Sequence, residues 1–197
     1  VREGSLLRFE HRVVLITGAG RGIGRQHALF LAGRGARVVV NDFGVDLRGS
    51  KGGDSGPADA VVAEIKAAGG DALSACCDIG NAAAVDEMAA AALERYGRLD
   101  VLIHNASVYS EPSNFCEARG QNFERIMRVN VTGGWNVALA AWPAMLKQGY
   151  GRIIMTGSGA GYFGRRGDHA YSMAKAALMP LTKALAAEGA QAGVKVN

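Results

Sequence analysis

The run Val13-Val14-Leu15-Ile16-Thr17-Gly18-Ala19-Gly20-Arg21-Gly22-Ile23-Gly24 constrains this chain more than any other stretch of its 197 residues. An apolar, partly β-branched run followed by spaced glycines predicts a buried strand, a tight turn and a helix whose first amide N–H groups face a phosphate. In such loops the first glycine, here Gly18, allows the turn, Gly22 lets the backbone approach a phosphate, and Gly24 allows close helix packing. Gly18, Arg21, Gly22, Ile23 and Gly24 are therefore candidate contacts of a nucleotide. A glycine turn alone is weak grounds for this, but here an acid, Asp42, also closes the next predicted strand. A carboxylate there accepts hydrogen bonds from an adenosine ribose and repels a 2′-phosphate, which favours NAD over NADP. Arg21 inside the turn offsets part of that repulsion.

Short apolar runs then alternate with longer helical segments, the signature of βαβ units around a parallel sheet. Strands are predicted at 12–17, 37–41, 72–76, 101–105 and 152–156, with a last one beginning at Val194. Helices are predicted at 22–35, 58–68, 82–96, 122–147 and 171–192. The expected class is α/β, a Rossmann-type doubly wound parallel sheet with helices on both faces and its ligand crevice at the C-terminal strand ends. The length suits one domain over residues 1–197. The glycine-rich stretch 44–56 reads as a flexible linker, with a lid on the nucleotide side as the alternative.

A second constellation lies far downstream. Tyr171 and Lys175, four apart on a predicted helix, share one face, where an ammonium favours the ionised phenol. Ser158 follows the fifth predicted strand, 13 residues before Tyr171.

Taken in order, the T-G-x-x-x-G-x-G pattern at 17–24, the turn at Asn105-Ala106, Ser158 and the Y-x-x-x-K pattern at 171–175 resemble the short-chain dehydrogenase/reductase family. The resemblance runs from about residue 8 to the end. Within the family, the stretches 38–44 and 149–156 look like the (3R)-hydroxyacyl-CoA dehydrogenase region of peroxisomal multifunctional enzymes and related bacterial reductases. It implies that Tyr171 is the general acid in carbonyl reduction and the base in alcohol oxidation, and that Lys175 supports it and binds the nicotinamide ribose. Ser158 would bond the substrate oxygen, and Asn130 would hold a water linking the lysine to solvent. Asp78 would meet the adenine amino group, while Asn105, with Ala106, would border the adenosine. His104 and Ser107 depart from the family's N-N-A-G turn.

The resemblance implies a hydride transfer between a nicotinamide nucleotide and a secondary alcohol or ketone, with a 3-hydroxyacyl-CoA as the favoured substrate. NADPH-dependent reduction of 3-oxoacyl or other carbonyl groups is one alternative. A nucleotide-binding module without turnover is another. A homodimer or homotetramer is expected, with 122–147 and 171–192 packed against symmetry mates. The family's sixth strand runs on into further segments, so the C-terminal part of the fold is expected to be missing here.

Plainer roles stand beside each of these. Tyr171 and Lys175 form an ordinary helix pair, Ser158 is a turn residue, Asn130 bends a helix from within, and Asp78 caps a turn. Arg165, Arg166 and His169 lie on a solvated loop or recognise phosphates of an acyl-CoA. Tyr162 and Phe163 line an acyl pocket or belong to the core.

Composition narrows the remaining classes. Residues are 49% hydrophobic and 20% charged, as in a folded globular protein. No apolar stretch approaches the roughly 20 residues that cross a bilayer, and the first residues do not open a signal peptide, so a cytoplasmic protein is expected. The net charge of +4 comes from scattered residues without interleaved aromatics, which argues against nucleic acid. Three cysteines and four histidines lack disulfide or metal-ligand spacing, and Cys76 and Cys77 read as reduced core residues.

Overall fold

Alternation along each strand decides which side of the sheet its side chains serve. In the computed structural model, which describes residues 7–45, 52–120 and 123–197, Val13 and Leu15 of β1 (Val13–Thr17) join one apolar cluster. Val14 and Ile16 join the other. The same split divides Val39 from Val38 and Val40 on β2 (Arg37–Asn41). Strands buried on both faces must be covered on both, and parallel crossovers supply the covering helices.

The remaining strands are β3 (Asp71–Ala75), β4 (Val101–His104), β5 (Gly151–Met155) and β6 (Val194–Val196). All pairings are parallel, in the order β3-β2-β1-β4-β5-β6. The order reverses between β1 and β4, which opens a crevice at their C-terminal ends. One face carries α1 (Gly22–Ala32) and α2 (Gly56–Ala67), through Ala28, Leu31, Val61 and Ile65. The other carries α3 (Ala82–Tyr96) through Val85, Met88 and Ala92, and the later helices described below. Asn81 caps α3 by accepting from the Ala84 amide at 3.4 Å, and Gly97 ends it at φ 73°.

At the opposite end of the sheet a buried carboxylate ties two strands together. Asp100 is fully buried and accepts from Arg12 at 2.7 Å, from Arg98 at 2.7 and 2.6 Å, and from the Val13 amide at 2.9 Å.

The predicted helix 122–147 is not continuous. It divides into α4 (Phe123–Met127), a π turn at Arg128–Thr132 and α5 (Gly133–Gln148), with the Gly133 amide reaching back to the Arg128 carbonyl. Asn122 lies outside the described residues. The reason is polar: Asn130 is fully buried in the π turn, and its amide donates to the Val108 carbonyl and accepts from the Val108 N–H, each at 2.9 Å. A side chain bound to backbone outside the helix favours such a widened turn.

Smaller differences accompany this one. A short α6 (Gly159–Phe163) precedes α7 (His169–Gly189), which begins two residues before the predicted 171 and passes into a 3₁₀ turn at Ala190–Ala192. A further 3₁₀ turn spans Phe115–Gly120. The first helix stops at Ala32, short of the predicted 35, and Gly33 follows it. Strand β3 ends at Ala75 on the sheet edge, so Cys76 is exposed rather than in the core, while Cys77 is buried.

Candidate active site

The site begins where β1 gives way to α1. Gly18 turns at φ +62°, and a Cβ on it would stand 2.7 Å from the Ala106 Cα. Only glycine lets this turn and the segment after β4 come so close. The contact is laced by hydrogen bonds: Thr17 Oγ1 accepts from the amides of Asn105 and Ala106, each at 3.1 Å, and Asn105 Nδ2 donates to the carbonyls of Thr17 (3.2 Å) and Gly18 (3.1 Å). Gly24 packs on the same knot, since a Cβ there would meet the Gly18 carbonyl and sit 2.6 Å from Asn105 Nδ2.

Gly22 differs from these two. It turns at φ +51°, and the space its Cβ would fill is open. No side chain caps the start of α1, and no acidic residue stands in its first turn. Its first amides and the positive end of its dipole are thus left for an anion. Arg21 and Ile23 are exposed beside them.

These residues form one wall of a cavity of about 750 Å³, with Asp42, Asp78, Asn105, Ala106 and Arg128 among the others. Both carboxylates also work within the chain. Asp42 accepts from the Gly20 and Gly44 amides, each at 2.9 Å. Asp78 accepts from the Gly80 amide at 2.9 Å and pairs with Arg128 at 2.6 Å. The plain turn-capping role of Asp78 is therefore present together with its place in the cavity wall. The described ends of the stretch 44–56 fold back on Phe43, whose carbonyl accepts from the Gly53 amide at 2.8 Å. Residues 46–51, where a lid would lie, fall outside the described residues.

Lys175 is 2% exposed on α7, and its ammonium donates to the Thr156 carbonyl at 2.8 Å, just past β5. It stands 5.8 Å from the centre of the Tyr171 ring. Burial pushes its pKa down from 10.5 to about 8. Ser158 caps α6, its Oγ accepting from the Ala160 amide at 3.2 Å, which leaves its O–H to donate. A Cβ on Gly161 would be 2.8 Å from the Lys175 backbone, so glycine lets α6 dock directly on α7. The structure thus brings Tyr171 and Lys175 together and seats the Ser158 helix on them. None of Asn130, Ser158, Tyr171 and Lys175 lines the nucleotide-side cavity.

The Asn130 side chain is bonded to Val108 through its oxygen and one of its N–H groups. Its backbone carbonyl faces His104 Nε2 at 3.3 Å. Tyr162 and Phe163 are 71% and 90% exposed, which removes the core-packing alternative for them. Arg165 pairs with Asp168 at 3.2 Å, and His169 meets Phe115 edge-on at 5.1 Å between ring centres.

Two residues were missed by motif reasoning. Arg125 lines the cavity with Arg128 and Val129, and its side chain has no hydrogen bond or ion pair among the described residues. The signal was its spacing of three and four from those residues on one helical face. His104 registered only as a departure from a motif. Among the described residues no three His, Cys, Asp or Glu side chains gather as a metal site, and no helix is long and apolar enough to cross a membrane.

Comparison with known proteins agrees with this fold. The sequence profile of the short chain dehydrogenase family matches residues 12–197. The chain is 45% identical over 191 residues to the peroxisomal hydratase-dehydrogenase-epimerase of Saccharomyces cerevisiae, covering 97% of this chain and 21% of that enzyme. It is 39% identical to a 3-oxoacyl-[acyl-carrier-protein] reductase of Synechocystis sp., over 94% of this chain and 71% of that protein. Among solved structures, NAD+-bound xylitol dehydrogenase superposes with a TM-score of 0.87 at 29% identity, over 97% of this chain and 70% of that one.

Proposed function

The chain belongs to the short-chain dehydrogenase family, and from that membership we propose that it interconverts secondary alcohols and ketones with a nicotinamide dinucleotide. NAD is the preferred nucleotide in this reading, and a 3-hydroxyacyl-CoA the favoured substrate. The observation that carries it is the ammonium of Lys175, held almost fully out of water beside the Tyr171 ring.

The residues present fit a dinucleotide. The space beyond Gly22, the uncapped start of α1 and the wall formed by Asp42, Asn105 and Ala106 suit a pyrophosphate and an adenosine ribose. Bound nicotinamide supplies the hydride acceptor in oxidation and the donor in reduction. The chain's own residues manage the proton and the charge. Tyr171 takes the hydroxyl proton in oxidation and returns it in reduction, and Lys175 favours the phenolate in between. The Ser158 hydroxyl donates to the substrate oxygen as negative charge grows there. Tyr162 and Phe163, exposed between Ser158 and Tyr171, offer apolar surface to an acyl chain, and Arg166 beside them offers a cation to its phosphates.

The name of the yeast relative supports the hydroxyacyl reading. A second reading, NADPH-dependent reduction of a 3-oxoacyl thioester, draws on Arg21 and Arg125, both in the cavity wall, and on the name of the Synechocystis relative. The proposal includes a cytoplasmic setting and a homodimer or homotetramer. Trp135, Leu139 and Leu146, exposed along α5, support the latter.

Fluorescence titration with NADH and NADPH, followed by reduction of acetoacetyl-CoA by the wild type and Tyr171→Phe, tests the reading. Saturable binding that prefers NADH, with turnover abolished in the variant, is expected. Undiminished reduction by Tyr171→Phe refutes the chemistry.

A further inference from the structure

His104, the last residue of β4, is fully buried at the meeting of three elements that carry the site. Its Nε2 lies 3.3 Å from the Asn130 carbonyl, and its Nδ1 lies 3.3 Å from the Thr17 hydroxyl. A carbonyl only accepts, so Nε2 carries the proton. In a neutral ring Nδ1 is then an acceptor, and the Thr17 O–H donates to it. That direction suits Thr17, whose oxygen already accepts from the amides of Asn105 and Ala106. At the other end Asn130 clamps Val108 through both halves of its amide. The segment 105–108 is thereby held from both sides by one bonded series running from Thr17 through His104 to Asn130. Gly134 of α5 makes room for the ring, because a Cβ there would stand 3.0 Å from His104 Cδ2.

We propose that His104 is a positioning residue of the catalytic centre, joining the nucleotide turn at Thr17 to the Asn130 carbonyl through a ring that stays neutral. This rests on the oxidoreductase reading above. The network has no place for a second ring proton, since Nδ1 faces a hydroxyl whose hydrogen points at it. Burial and the charge of Lys175 act in the same direction, pushing the imidazole pKa down to about 4. Lys175 on α7 is the charged group acting on the ring. Thr17 of β1 and Asn130 of the π turn, which bond the ring, and Gly134 of α5, which packs on it, do not titrate. A neutral donor here orients Asn130 without setting a second cation against the lysine that supports Tyr171. An imidazolium would oppose that lysine's charge.

Two substitutions separate the halves of the bridge. In His104→Gln the side-chain amide reaches the position of Nε2 and keeps the bond to Asn130. In His104→Asn the amide oxygen takes the position of Nδ1, keeps Thr17 and leaves the Asn130 carbonyl unmet. With acetoacetyl-CoA and NADH in the whole protein, His104→Asn is expected to lose roughly tenfold or more in kcat, as for a buried acceptor left unpaired. His104→Gln is expected to recover most of that loss, and KM for NADH is expected to change little in either. Equal kcat in the two variants, or a loss confined to KM for NADH, overturns the proposal and leaves His104 a brace of the nucleotide turn.

A readout independent of turnover accompanies this. In 15N-histidine-labelled protein, the ring signals lost in His104→Asn are expected to show a protonated Nε2 and a bare Nδ1, unchanged between about pH 8 and about pH 5. Titration in that range, or the opposite tautomer, overturns the proposal even where the wild type reduces no ketone. A wild type without turnover but with this spectrum overturns only the oxidoreductase reading.

Discussion

Replacing Lys175 by Met should make the protein more stable and catalytically inert. The ammonium is 2% exposed, and its pKa falls from 10.5 to about 8 on folding because burial disfavours the charge. At 1.36 kcal/mol per unit, the buried cation costs the fold about 3 kcal/mol at neutral pH. Met fills a similar volume without charge, but it leaves the Thr156 carbonyl without its 2.8 Å donor, a loss of about 1 kcal/mol. A net gain of about 2 kcal/mol remains, or roughly 4–8 °C in Tm for a domain of this size. Urea unfolding of both proteins across pH supplies the sharper assay. Between about 8 and 10.5 the unfolded chain holds a proton that the folded chain has released, so raising pH stabilises the wild type and not the variant. The variant's advantage should be full below about 8 and should shrink by about 3 kcal/mol by 10.5. A Lys175→Met protein no more stable than wild type at pH 7, or a difference flat with pH, refutes the argument that burial is costly here and is tolerated for function.

Two further perturbations test other parts of the structure. Asp42→Ala should weaken NADH binding by roughly tenfold and NADPH binding far less, as measured by fluorescence titration. Equal losses would show that Asp42 serves only to hold the Gly20 and Gly44 amides. Asp100→Asn should cost about 2–3 kcal/mol in urea unfolding at pH 7, since it weakens a fully buried acceptor of two arginines and the Val13 amide. Burial raises the Asp100 pKa, but those partners outweigh it and hold the carboxyl below its ordinary 3.8. Its contribution is therefore present above about 3.8 and lost as pH falls through the lower folded value, where the two proteins should converge.

The strands were legible in the sequence because runs such as 13–17 and 37–41 are buried on both faces, and continuous apolar character at strand length has few other readings. Helix α3 was legible end to end because its alanine-rich body lies between an Asn cap and a left-handed glycine. The glycine turn was legible because a positive φ at Gly18 and a close approach at Gly24 leave no choice of residue. Periodicity failed at 122–147, since hydrophobic spacing records which face is apolar and not that Asn130 is bonded sideways to Val108. It failed at α6 for a related reason. The segment Gly159-Ala160-Gly161 has weak helical propensity and is helical through the Ser158 cap and its seat on α7.

These failures share a location, and that location bears on function. The broken helix, the unforeseen α6 and the imidazole at 104 all surround Lys175, where buried polar groups replace apolar packing. Sequence patterns express the cheapest way to bury a chain, so they misread a region that departs from it. A nucleotide-binding module without turnover would need the glycine turn and Asp42, whose signals were plain. It would gain nothing from an ammonium held out of water at a cost to stability, nor from a neutral histidine threaded between Thr17 and Asn130. The region hardest to read from sequence is thus the one that favours an enzyme over a binding protein.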